Sequence, residues 1–240
     1  MAFFHAVPLA LKLNTPDVFE EQIKPHLTDQ FPQGGVTPLI VQLVILDFLQ
    51  TCDECHVFMP ALKKILKRPR VEKIEERKEP WLTIGHGDMW VNNIMVRFED
   101  DTPTSVKFID FQNFAYRSPA VDLFLFLWSS VQNSVLEEHF DDLLKLYHES
   151  FTEKLQELGC DTAPFPLENL VEEMKMAAKY GLSHALFMMT FVVFCKRGGF
   201  SVDQDSSSPP QLGTKEDITP EARAKVVFMV KKCHERGWLY

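Results

Sequence analysis

Along most of this chain the apolar positions recur at the helical period, and in one stretch they switch to the short runs and two-residue period of strands. Phe3, Phe4, Val7 and Leu11 predict a helix that starts directly after Met1, with no residue ahead of it to serve as an N-cap. Asp17 to Leu27 reads as a second helix bent at Pro25. Gln33-Gly-Gly-Val-Thr-Pro38 breaks the chain, and Leu39 to Leu49 predicts a mostly buried helix. Lys63 to Glu79 interleaves both signs of charge and reads as a solvated helix face or linker. Then the pattern changes. Two short β-branched or apolar runs flank His86-Gly87-Asp88, and a third, Ser105 to Ile109, ends on Asp110. That predicts a small hairpin carrying the His-Gly-Asp turn, with a strand beside it.

The remainder returns to helix. Ser118 can N-cap a helix with Pro119 at its first position, which puts Asp122 in the first or second turn. Val135 to Leu158 is amphipathic and is closed by Gly159, Pro164 and Pro166 mark a loop, and Leu167 to Lys196 gives one or two further helices. Gly198 to Asp217 reads as an exposed mobile loop, Thr219-Pro220 opens the last helix and Gly237 ends it. The fold class is therefore α+β, mostly α: helices over 1–79, a hairpin and strand over 80–113, and a helical subdomain over 114–240. No internal repeat is evident.

Composition narrows the classes. With 240 residues, 45% hydrophobic and 25% charged, the chain can bury a sizeable core as one domain or one lobe of a larger one. A net charge of -9 argues against a nucleic-acid partner, because phosphate binding asks for a basic surface. The longest apolar run, Ala185 to Cys195, is too short to cross a bilayer, so no membrane partner is expected. Five cysteines without scaffold spacing fit a reducing compartment, and cytoplasm is the default. Cys52-Asp-Glu-Cys55-His56 has the form of a haem-attachment signature, but no export signal accompanies it and no second ligand pair supports zinc. Reduced cysteines near a helix start are the reading.

The spacing around the His-Gly-Asp turn carries the candidate chemistry. Asp88 and Asn93 fit D-x-x-x-x-N, in which an aspartate accepts the proton of an attacking hydroxyl and an asparagine holds Mg²⁺. Asp110 closes the following strand, where a second carboxylate can hold Mg²⁺ against the phosphates of ATP. Each residue alone is an ordinary turn or strand-end residue. The three together point to phosphoryl transfer. His5, beside the first apolar stripe, and His184 read as packed structural histidines.

His86-Gly-Asp-Met-Trp-Val-Asn-Asn93-Ile-Met and Ile109-Asp-Phe-Gln112 resemble the signature of the ecdysteroid kinase-like (CHK kinase-like) family of insects, grouped with aminoglycoside and choline kinases. Ser118-Pro-Ala-Val-Asp122-Leu is similar to the segment that follows, and Phe3-Phe-His-Ala to a helix opening the catalytic lobe. The resemblance implies the C-terminal catalytic lobe of the protein-kinase-like fold, with ATP and Mg²⁺ as cofactors. It implies Asp88 as catalytic base, Asn93 and Asp110 as metal and nucleotide ligands, and His86 and Asp122 as support of the site, Asp122 bracing the backbone of the His86-Gly87-Asp88 loop. A complete member would carry a nucleotide lobe with a phosphate-covering loop and a strand lysine. Neither is found in residues 1–80, so the chain reads as the catalytic lobe alone and is expected to lack turnover by itself. Gln112 stands where protein kinases carry a glycine, and a flipping activation switch is correspondingly not expected.

The acceptor implied is a small hydroxylated molecule, an ecdysteroid or another lipophilic alcohol. Trp90, Phe111, Phe114, Tyr116 and Trp128 are candidates for the walls of its pocket and equally good core residues. Two functional classes follow: a small-molecule kinase, or a binding or scaffold protein that keeps the lobe without transfer.

Overall fold

The computed structural model describes residues 1–27, 38–67, 79–193, 200–201, 211–212 and 218–239. The chain divides into two compact units, Met1–Pro32 with Glu72–Ala177, and Gln33–Val71 with Ala178–Tyr240. Among the described residues it is mostly helical, with three separate two-stranded antiparallel sheets.

In the first unit, α1 (Ala2–Asn14) forms where the sequence predicts a helix, but it buries a different face from the expected one. Ala2, His5, Ala6, Leu9 and Ala10 are buried, while Phe3, Val7 and Leu11 remain exposed. Three alanines let the helix approach its neighbours closely, and the buried face is the one on which both ring nitrogens of His5 find partners. Outside it, Phe3 lies under the Lys154 ammonium, 5.3 Å from the ring centroid. The expected helix 17–27 is broken into α2 (Pro16–Val18), a π-helical turn Phe19–Ile23 and a 3-10 turn Lys24–His26, because Pro25 has no N–H to continue an α-helix. Phe19 is fully buried there against Leu82 and Tyr116.

The strands pair otherwise than the runs suggest. β1 (Thr83–Gly85) pairs with β4 (Ala115–Arg117), and β2 (Ile94–Glu99) pairs with β3 (Thr102–Phe108). The two runs flanking His86-Gly87-Asp88 therefore do not form a hairpin with each other; the loop joins two different sheets. The hairpin turns instead at Asp100-Asp101, both left-handed at φ 48° and 61°, which is the handedness that matches the twist of a tight two-residue connection. A bulge falls between Arg97 and Phe98.

Helix α5 (Ala120–Ser130) starts one residue later than predicted, and the Ser118 hydroxyl accepts from Ala120 N. Helix α6 (Asn133–Glu157) buries Leu136, Phe140, Leu144, Tyr147, Phe151 and Leu155, a stripe at spacings of three and four. It ends in a Schellman arrangement: Gly159, at φ 78°, donates to Gln156 O, and Cys160 donates to Leu155 O. Phe151 is the centre of the aromatic core, stacked on Trp81 at 5.6 Å and on Tyr147 at 5.8 Å, with Phe165 edge-on at 6.0 Å. Helix α7 (Leu167–Phe187) begins in this unit and continues, through a π-helical segment Met188–Val193, in the second.

The second unit holds α3 (Pro38–Gln50), a 3-10 turn Asp53–Phe58, α4 (Met59–Leu66) and α8 (Pro220–Glu235), with a two-residue strand pair β5 (Phe200–Ser201) and β6 (Gln211–Leu212). Its buried side chains include Ile45, Phe48, Leu49, Leu62, Ile65, Val226, Met229 and Val230. Thr219 caps α8 by accepting from Ala222 N at 3.2 Å. The break expected at 33–38 lies outside the described residues up to 37, as do most of the mixed-charge segment 63–79 and of the loop expected over 198–217, of which 200–201 and 211–212 pair as strands instead. Among the described residues no helix is long and apolar enough to cross a membrane.

Removing the ring at the core centre gives the first prediction. Phe151→Ala should cost about 3–5 kcal/mol in urea unfolding. The exposed Leu146→Ala on the same helix should change it by less than about 0.5 kcal/mol.

Candidate functional site

The loop between β1 and β2 is built by its backbone needs. Gly87 has φ 81°, and a Cβ there would lie 2.2 Å from the carbonyl oxygen of Asn113, so this position admits no side chain. With the chain this close, the N–H groups of His86 and Gly87 turn inward and need acceptors. Asp122, on the first turn of α5, supplies both: its Oδ2 accepts from His86 N at 2.6 Å and its Oδ1 from Gly87 N at 2.9 Å. At the far end of the loop the Ser130 hydroxyl, the last residue of α5, accepts from Val91 N at 2.9 Å. One helix thus holds the loop at both ends.

Asp122 is itself buried and does not stand alone. His5 Nε2 donates to its Oδ2 at 3.0 Å, and the Tyr147 hydroxyl donates to His5 Nδ1 at 2.8 Å. Thr83 Oγ1 donates to the backbone carbonyl of His5 at 2.8 Å, tying β1 to α1. Burial pushes the Asp122 carboxyl up, but the His5 hydrogen bond, the Arg117 charge and the Gly87 N–H outweigh it and hold the group below the usual carboxylate range. Burial lowers His5, so the ring is neutral at neutral pH, with its proton on Nε2 and its Nδ1 free to accept from Tyr147. Burial likewise raises the Tyr147 phenol well above its ordinary value.

His86 fixes the next layer. Its Nε2 donates to Ile109 O at 2.8 Å, so Nδ1 is the acceptor and takes Asp88 N–H at 3.3 Å. Ile109 N donates to Asn93 O at 3.0 Å. Through these backbone bonds the end of β3 is stapled to both sides of the loop, and Asp110 follows in the left-handed region at φ 64°, ψ 61°, a conformation aspartate tolerates better than most residues. Phe4 and Phe111 pack on the His86 ring, Phe111 at 4.8 Å from it, and Phe108 packs on Phe4.

Asp88, Asn93 and Asp110 are brought together on this frame. Asn93 is buried, and its Nδ2 donates both to Asp88 O at 2.8 Å and to Asp88 Oδ2 at 3.0 Å. The amide oxygen is left as its acceptor. Asp88 is half-buried and its carboxyl is raised, chiefly by burial; the Asn93 hydrogen bond lowers it and the charge of Asp110 raises it again. That repulsion places the two carboxylates in one electrostatic neighbourhood. Asp110 is exposed, with Gln112 Nε2 donating to its Oδ2 at 3.3 Å. Among the described residues no group of three or more His, Cys, Asp or Glu is arranged to hold a metal ion. The oxygen donors here are two carboxylates and one amide, a set suited to a hard ion that keeps water and phosphate on its other positions.

The aromatic candidates divide. Trp128 is fully buried against Phe124 and Phe140, and Tyr116 lies in the cluster with Phe19 and Leu82, so neither can wall a pocket. Trp90 and Phe114 are partly exposed and Phe111 is 42% exposed. Sequence reasoning passed over Tyr147 and Ser130 as parts of this site, and took His5 only as packed. Tyr147 is visible as a polar tip on the α6 stripe; nothing local marks Ser130.

The family model described as the ecdysteroid kinase-like family matches residues 1–160, a span that contains every residue of this site. No curated protein and no solved structure matches the chain.

The buried relay predicts an acid-sensitive fold with two windows. A lowered His5 is neutral when folded and takes a proton when unfolded, so stability falls as pH drops below about 6.5, the unfolded value. The depressed Asp122 adds a loss only below about 3.9, as pH falls toward its folded value. Thermal melts at pH 7 and pH 5 should show a drop for the wild type and a flatter response for His5→Gln, which keeps a donor to Asp122 without titrating. An unchanged slope in the variant would remove His5 as the sensor.

Proposed function

The chain belongs to the ecdysteroid kinase-like family, and on that premise we propose that it is a phosphotransferase that moves the γ-phosphoryl group of ATP to a hydroxyl of a small lipophilic alcohol. What supports the reading is the hold of Asn93 on Asp88 at the braced loop, with the charge of Asp110 acting on the same carboxyl. Its architecture is that of the catalytic lobe of the protein-kinase-like fold.

Phosphoryl transfer asks mainly for positioning and charge stabilisation. Asp88 accepts the proton of the acceptor hydroxyl; its raised affinity for protons suits a base, and Asn93 aims it by binding one carboxylate oxygen and the loop carbonyl together. Asn93 and Asp110 would hold Mg²⁺. When bound, that ion neutralises charge on the phosphates and ATP supplies the group transferred. His86 and Asp122 act one layer back, keeping the backbone that carries Asp88 in a single conformation. Partly exposed Phe111 and Trp90 beside the loop favour an apolar acceptor such as an ecdysteroid. A cytoplasmic setting, where ATP and Mg²⁺ are abundant, fits this chemistry.

The test is Mg²⁺-dependent ADP release from ATP with ecdysone as acceptor. In any preparation with turnover, Asp88→Ala should lower kcat by at least about a hundredfold, the usual contribution of a general base, without changing the melting temperature. Full activity in Asp88→Ala would remove it from the mechanism. Binding of the steroid with no ADP release under any condition would make the protein a binding module on this lobe.

A further inference from the structure

In the second unit, the Cys52-x-x-Cys55 pair takes no part in the chemistry above. Cys52 precedes the 3-10 turn Asp53–Phe58 and Cys55 lies within it. In such a turn residues three apart eclipse, and here Cys55 N donates to Cys52 O at 2.8 Å, so the two side chains emerge on one edge of the turn. Both are free thiols.

A cation is fixed against one of the two sulfurs. Arg223 reaches over from α8: its Nη1 donates to Thr51 O at 2.7 Å and to Cys52 Sγ at 3.1 Å, and its Nη2 donates to Thr51 Oγ1 at 2.9 Å. The guanidinium lies over the Phe48 ring at 5.6 Å, which leaves it little freedom to turn away. The pair is thereby made unequal. The Cys55 hydrogen bond first, then the charge of Arg223 and the Thr51 hydroxyl, bring the Cys52 thiol down to about 7 against burial and the charge of Glu54. Cys55 is moved up by its bond to Cys52, by burial and by Glu54, with Lys231 opposing. Burial raises Cys160 and Cys233, against the Asn14 hydrogen bond at the first and the charge of Arg236 at the second.

Both sulfurs are buried, yet Thr51, Asp53, Glu54 and His56 around them are exposed, so the pair sits one layer beneath the surface.

We propose that Cys52 and Cys55 form a peroxide-responsive dithiol, with Cys52 the attacking sulfur, held against Arg223, and Cys55 the resolving one. The Cys52 thiolate attacks one oxygen of hydrogen peroxide; an S–O bond forms, the O–O bond breaks, and the departing hydroxide takes up a proton to leave as water. The Cys55 sulfur then attacks the Cys52 sulfenic sulfur; an S–S bond forms, the S–O bond breaks, and the hydroxyl leaves as a second water with the Cys55 proton. Two thiols and one peroxide give one disulfide and two waters, with two electrons passing from sulfur to oxygen. The reading is independent of phosphoryl transfer.

The experiment treats the reduced 240-residue chain with hydrogen peroxide at neutral pH and follows it by intact mass and peptide mapping. Expected are a loss of two hydrogens, a Cys52–Cys55 cross-link reversed by dithiothreitol, and in Cys55→Ser a dimedone-trapped sulfenic acid at Cys52. Arg223→Gln should react several-fold more slowly and shift the pH profile of Cys52 alkylation by iodoacetamide upward. Thiols that stay reduced in the native chain but oxidise after denaturation, a cross-link to any other cysteine, or Cys52 alkylating no faster than Cys160 and Cys233 would overturn the proposal. An Arg223→Gln profile identical to wild type would overturn the role of the cation.

Discussion

A single buried carboxylate organises the first unit. Asp122 accepts from His5 Nε2, His86 N and Gly87 N, and so joins α1, α5 and the loop that carries Asp88. An ionised carboxylate out of water is costly unless its lone pairs are met, and here three N–H donors meet them. The same bonds satisfy two backbone donors that a close-packed glycine turn would leave orphaned. The site is therefore built from an electrostatic requirement met on both sides: the loop needs the acceptor, and the acceptor needs the loop.

Two aspartates in this unit have been moved in opposite directions by their surroundings. Asp122, the more deeply buried, is surrounded by donors and a nearby guanidinium and is held ionised. Asp88, half-exposed, is raised by burial and by the charge of Asp110 more than the Asn93 amide lowers it, and binds its proton more readily than a free side chain would. Identical side chains thus come to differ in proton affinity, because environment rather than residue type sets acid–base behaviour.

How much of this could be read from the sequence depended on whether the governing contact was local. Helix α8 and the end of α6 were legible because caps act within a few residues: Thr219 with Ala222, Gly159 with Gln156. The grouping of Asp88, Asn93 and Asp110 was legible from spacing. The face that α1 buries was not, since an apolar stripe of Phe3, Val7 and Leu11 suggests one side while the decisive partners of His5 lie 117 and 142 positions away. Strand pairing was misread for the same reason: β1 finds β4 across the whole of the β2–β3 hairpin, and the real turn, Asp100-Asp101, lacks the glycine that usually announces one. Ser130 has no local signature at all.

The attachment of the loop to both ends of α5 makes that helix a measuring rod. From Asp122 to Ser130 is eight residues, about 12 Å at the α-helical rise, and the peptide between His86 and Val91 is cut to that length. Surface loops absorb insertions readily, but a single added residue in 123–129 would lengthen the rod and swing one anchor about 100° around the axis. Drift in the residue count of α5 is thus intolerable in this protein, whatever side chain is added.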